Sequence, residues 1–389
     1  MPPLKEFAID PTSSRLLGIY DTNSWSRPCD RHRMYLGWTP VHLLRGILET
    51  RTKCVSFRPD RRRSRRYDLH TMQITKRDHG YLWVKRIVAI VGVIVTAGAA
   101  FATGPMLIHG HPVYIVLLAA VLVISLAVAV RSWLSPAPRN PVRRGRRVVQ
   151  AVLLVTSSLL IAAVAWLVPQ SAQAPALAAM TSDRTVTVIE DATEIVMTPT
   201  GVESPVGVFF QPGARVDARA YSAILRPLVE SGHLVIIAKQ PLGIAFLSTG
   251  AFATARAAHH PVTRWVVGGH SLGGLVAATD AETFAGAPRD RVVGLLFFAS
   301  YPASNIAQLK VSVLSISGSN DGLSTPAKIV AAKPTLPADT RYLVVKGGVH
   351  AFFGDYGPQD GDGKPTISHN QARTEIAARS VAFVNGLGG

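Results

Sequence analysis

The sequence predicts an α/β chain in which three transmembrane helices precede a mostly parallel sheet covered by helices. Two observations carry that prediction: three uncharged apolar runs of membrane-spanning length, and a later half in which strand-length apolar segments alternate with helix-length ones. A third puts chemistry on the sheet. The strand-like stretch from Arg264 leads directly into Gly269-His270-Ser271-Leu272-Gly273, and a helix-like stretch leads out of it.

The apolar runs are Ile87 to Thr103, Val113 to Val130 and Val148 to Val168, of 17, 18 and 21 residues, none containing a charge. They agree with 48% hydrophobic residues and a positive mean hydropathy, both high for a wholly soluble chain. The net charge of +17 is concentrated beside them. Residues 1–86 carry a net +10, residues 131–147 hold six Arg and no acid, and everything from residue 169 onward nets +1. Basic clusters flanking spans act as topology determinants and contacts for anionic lipid. Nucleic acid is not an expected partner, since no aromatic-basic interleaving or zinc spacing accompanies them.

The same clusters predict orientation. Lys76, Arg77, Lys85 and Arg86 precede the first span and the Arg-rich connection joins the second to the third, whereas the loop at residues 104–112 and the stretch after Val168 lack Lys and Arg. A multi-pass cell-membrane protein is expected, with a cytoplasmic N-terminus and everything after Val168 on the far side. Residues 1–86 read as a basic segment, mostly without periodic structure, and 169–183 as a small, polar linker. Cys29 and Cys54 fall on the cytoplasmic side, and neither a disulfide nor a metal site is expected from them.

Residues 184–389 read as one folded domain. The expected strands are Thr185–Ile189, Glu194–Thr198, Val206–Phe210, Leu234–Ala238, Arg264–Gly269, Val292–Ser300, Val311–Ser317 and Tyr342–Lys346. Helices are expected over Ala218–Glu230, Phe252–His259, Leu272–Phe284, Pro326–Ala332 and Gln371–Val384. Central strands apolar on both faces point to parallel pairing.

A serine on a tight turn from strand to helix is lifted above the sheet, and Gly269 and Gly273 leave room for strand and helix to pack closely. In this setting the chain resembles the α/β-hydrolases over residues 184–389. The resemblance implies a Ser, acid, His order, each residue just after a strand. Asp321, in the loop after Val311–Ser317, and His350, after the last strand, occupy those places beside Ser271. Asp355 is the alternative acid. One oxyanion donor is expected from the N–H of Leu272, and the resemblance implies a second from the loop after the third strand, where Pro212 has no N–H and Gly213 or Ala214 is left.

The expected activity is hydrolysis of a carboxylic ester through an acyl-enzyme, with no metal or organic cofactor needed. Small-molecule, lipid or cell-envelope esters are the expected substrates, and membrane lipids the expected surroundings. An acyltransferase using the same residues, or a non-catalytic envelope-binding protein with this fold, are the other readings. The short connection after the sixth strand holds no lid domain. Together with the glycine-flanked His350 loop, this makes the domain similar to the small dienelactone-hydrolase-like branch, although Ser replaces the Cys of dienelactone hydrolases proper. His270 reads as a packing or turn residue, His259 and His260 as a solvated helix end, and Asp355, Asp360 and Asp362 as an Asp/Gly turn rather than a calcium loop. Leu242, Ile244 and Phe246 are expected either to line an acyl pocket or to pack in the core.

Overall fold

The computed structural model describes residues 61–135, 143–259 and 261–388; the expectation for residues 1–60 lies outside them. Helices α1 (Arg61–Thr103) and α3 (Pro112–Leu134) contain the first two apolar runs, α4 (Arg144–Trp166) contains the third except its last two residues, Leu167 and Val168, and the short α2 (Met106–His109) links the first two. All three are long and apolar enough to cross a membrane. The basic stretch 61–86, expected to lack order, instead continues α1. Once an apolar span has nucleated a helix, each added residue gains a hydrogen bond, and Arg, Lys, Gln and Met are good helix formers. α4 stops at Trp166 because Pro169 disfavours helical geometry in the residue before it. Near one end of the bundle, the Arg86 guanidinium lies over the rings of Trp83 and Trp133 and donates to the Ser132 carbonyl at 2.9 Å. Trp166 stands at the last turn of α4, so aromatic rings mark both ends.

Beyond the short α5 (Ala176–Ala179), strands β1 (Val186–Glu190), β2 (Glu194–Pro199), β3 (Val206–Gln211), β4 (Val235–Ala238), β5 (Arg264–His270), β6 (Arg291–Phe298), β7 (Ser312–Gly318) and β8 (Arg341–Val345) form one sheet. Their order is β1-β2-β4-β3-β5-β6-β7-β8. β2 pairs antiparallel with β1 and β4, and every other pairing is parallel. The chain leaves β3 towards β4 on one side and leaves β5 towards β6 on the other, so the switch point lies between β3 and β5.

Helices α6 (Ser222–Glu230) and α10 (His369–Asn385) cover one face, over Val208, Phe210, Val266 and Leu296. On the other, α7 (Ala251–Ala258) and α8 (Leu272–Phe284) cover Phe209, Trp265, Val267 and Leu295. Alternate residues of a strand face opposite sides, so β3 and β5 feed both cores and have almost no exposed position. The short α9 (Pro326–Ala332) completes the helices.

The polar linker is not a free tether. Gln170 bridges to Val216, the Ala172 N–H donates to Asp217 at 3.2 Å, and Ala176 is fully buried with its carbonyl accepting from Ser222 Oγ. Buried Asp217, itself gripped by Arg219, is the partner that local sequence patterns do not reveal.

One buried carboxyl in α8 has a cost. Asp280 is 4% exposed, Oδ2 finds no hydrogen-bond partner among the described residues, and burial pushes its pKa up to about 7. In the unfolded chain the same group ionises near about 4. The folded state therefore holds this proton longer, and stability is lost as pH rises from about 4 towards about 7. Thermal unfolding of the full chain in detergent is expected to show Asp280→Asn gaining on wild type across that window, with the gap constant above it; a pH-independent gap would contradict the assignment.

Candidate active site

The turn between β5 and α8 is built by close backbone approach. Ser271 sits at φ 51°, ψ −120°, a strained conformation for a residue with a side chain. A Cβ on Gly269 would lie 2.4 Å from the Gly273 carbonyl carbon, and one on Gly273 would lie 2.1 Å from the Gln211 carbonyl oxygen. Both glycines are thus required, and the serine turn is pressed against the loop that follows β3. The Ser271 N–H donates to Phe298 at 3.0 Å, and Ser300 Oγ donates to the Ser271 carbonyl at 2.6 Å. These bonds, with the neighbouring strand end, hold the turn in its strained form.

Asp321 and His350 come together from the ends of β7 and β8. His350 Nδ1 lies 2.9 Å from Asp321 Oδ2, while Asp321 Oδ1 accepts the N–H groups of Leu323 at 2.8 Å and Ser324 at 2.7 Å. Both side chains are almost wholly buried. The His350 ring centre is 4.5 Å from that of His270, the residue before Ser271, so the serine turn and the histidine loop share one end of the sheet. The alternative acid, Asp355, is engaged elsewhere: Arg373 donates to it at 2.6 Å and His369 lies 3.3 Å away.

Asp362 is the tie between the acid and histidine loops. Its carboxylate accepts N–H groups of Gly322, His350, Ala351 and Gly363 at 2.7–3.1 Å. The Asp/Gly run is a turn, as read, but Asp362 is turned inward onto backbone amides while Asp360 is exposed. A fixed carboxylate under three separate segments gives the His350 loop a single position.

The loop after β3 resolves one alternative. The Gly213 N–H donates to the Tyr221 hydroxyl at 2.9 Å, so of the two amides offered as the second oxyanion donor, that of Gly213 is already committed. Tyr221 is fully buried, and burial keeps its phenol protonated. Its oxygen also lies 2.9 Å from His270 Nδ1. The one phenol oxygen thus joins the Gly213 amide to the His270 ring. Burial, and next the proximity of His350, hold the His270 pKa well below its ordinary value. His270 is therefore neutral, and a Cβ on Gly213 would strike its Nδ1 at 2.7 Å. Gln240 Nε2 donates to Gln211 Oε1 and to the Pro212 carbonyl, both at 3.0 Å, and steadies the same loop.

Of the expected residues, His350 bonds to Asp321 and packs on His270, which Tyr221 joins to Gly213 in one network; Ser271 and Leu272 follow His270 along the chain, and Ala214 follows Gly213. Tyr221, Gln240, Ser300 and Asp362 belong to that network without any local motif to announce them. Leu242 and Ile244, expected to line an acyl pocket or to pack in the core, pack against the cluster of the three apolar helices.

Residues 207–374 match the model of a family described as the alpha/beta hydrolase family. No curated protein matches the chain in sequence. Among solved structures, a putative dienelactone hydrolase from Klebsiella pneumoniae subsp. pneumoniae is 15% identical, with a TM-score of 0.38, over 51% of this chain and 97% of its own. A Pyrobaculum calidifontis esterase is 15% identical with a TM-score of 0.41, over 55% of this chain and 88% of its own. Thermogutta terrifontis esterase 2, phosphorylated by paraoxon, is 15% identical with a TM-score of 0.37, over 54% and 96%. After its three apolar helices, the chain carries the α/β-hydrolase fold.

Proposed function

We propose that the chain is a membrane-anchored serine hydrolase that cleaves carboxylic esters through an acyl-enzyme, with its catalytic domain outside the cytoplasm. The observation that carries this reading is the buried His350–Asp321 pair at the same sheet end as the strained Ser271 turn.

Ser271 Oγ attacks the ester carbonyl carbon as His350 Nε2 takes its proton. Asp321 fixes the imidazole with Nδ1–H directed at Oδ2 and stabilises the imidazolium that forms. Because burial keeps His270 neutral, the new positive charge rests on His350 alone. The negative oxygen of the tetrahedral intermediate is received by the N–H groups of Leu272 and Ala214, the first at the start of α8, where the helix dipole favours an anion. The C–O bond then breaks, His350 returns its proton to the departing alcohol, and the acyl group stays on Ser271. Water, deprotonated by His350, repeats the sequence and releases the acid.

With p-nitrophenyl butyrate and the full chain in detergent, Ser271→Ala and His350→Ala are each expected to lower kcat by about 10⁴ or more, and the double variant to lose nothing further. Turnover surviving either change refutes the roles.

The orientation rests on the Lys and Arg beside the span ends. An alkaline phosphatase fused after Met180, a reporter active only outside the cytoplasm, is expected to be active; activity appearing solely in fusions to the connection between the second and third spans would reverse the topology.

A further inference from the structure

The loop after β3 meets the ends of the apolar helices. Arg215, the residue after Ala214, lies with its guanidinium 4.8 Å over the ring of Trp166 and donates to the Trp166 carbonyl at the end of α4. Its N–H donates to Gly243 at 2.7 Å, and its carbonyl accepts from Gln170 at 2.7 Å. Leu242 and Ile244 pack on the apolar cluster that contains Ala99, Tyr114, Val164 and Leu167 of the bundle. Ser171 Oγ donates to the carbonyl of Thr103, the last residue of α1. His109, between the first two spans, pairs with Glu190 at 3.0 Å. The loop after β3 is therefore fastened to the ends of the spans, and Gly273, two residues from Ser271, is pressed against that same loop.

Between the bundle contact and the nucleophile's helix runs Pro241–Ser248. Its second half, Ala245–Ser248, is a single helical turn that packs against α8. Phe246 and Leu247 project from this turn 52% and 53% exposed, and no charged residue occurs from Pro241 to Ala255. Two large apolar side chains without charged neighbours are costly in water and favourable in the acyl boundary of a bilayer. They follow directly on Leu242 and Ile244, which pack on the bundle.

We propose that Phe246 and Leu247 sit in the leaflet that holds these span ends, and that the site takes its ester from that leaflet as a bilayer-resident acyl lipid. This deepens the hydrolase reading and rests on it for the substrate, though not for the docking. A carbonyl at headgroup depth reaches Ser271 from beside the inserted pair, and its acyl chain stays in an apolar phase throughout. The small-molecule alternative asks for no apolar rim facing lipid.

Docking is tested on the full chain reconstituted in phosphatidylcholine vesicles. Phe246→Trp is expected to add tryptophan emission that phosphatidylcholine brominated high on its acyl chains quenches and aqueous iodide does not. Added emission open to iodide and untouched by bromine overturns the docking. Substrate class is tested by the ratio of kcat/KM for a fluorescent diacylglycerol in those vesicles to kcat/KM for p-nitrophenyl butyrate. Phe246→Ser is expected to lower that ratio by about tenfold or more, the factor carried by withdrawing one large apolar side chain from lipid. An unchanged ratio, or a wild type that cleaves only the butyrate, overturns the lipid substrate and leaves the hydrolase standing. Failure of the wild type on both esters removes the hydrolase reading and the lipid substrate with it.

Discussion

The approach of Gly273 to the carbonyl of Gln211 is the constraint on which the site depends. With a Cβ at 2.1 Å from that oxygen excluded, only glycine lets α8 start against the loop after β3. That contact brings the start of α8 against the backbone of Gln211 and Pro212. Two residues before Gly273, the backbone of Ser271 is strained, with a positive φ at a residue that carries a side chain.

Around this contact the polar groups are arranged by carboxylates and one phenol. Asp321 and Asp362 each gather backbone amides from the loops after β7 and β8, so the imidazole of His350 has a fixed aim rather than a range. Tyr221 ties the loop after β3 to His270, and His270 lies against His350. The bundle of apolar helices adds a further restraint, through Arg215 on Trp166 and Leu242 and Ile244 on the helix ends.

Much of this was legible along the chain because it depends on local pattern. Apolar runs bounded by turn residues marked all eight strands, and Leu272–Phe284 was readable as a helix to the residue, because its start follows from the glycine-flanked serine. The places of Asp321 and His350 could be read because each loop offered few groups of the right type. Tyr221, Gln240 and Asp362 could not be read, since what defines them is a partner far away in sequence. The same holds for the linker, whose polar composition suggested a tether although Asp217 and Ser222 bind it to the domain. Continuation of α1 through an Arg-rich stretch was missed for another reason: charge repulsion argued against compact structure, but a helix extending from a membrane span need not be compact.

The central claim is that this geometry makes Ser271 a nucleophile. The direct measurement is labelling of the full-length protein in detergent with a fluorophosphonate, followed by peptide mapping, with Ser271→Ala as the control. The account predicts one adduct, on the peptide containing Ser271, absent from the control. A folded protein that takes up no label, or takes it up at another serine, would contradict it.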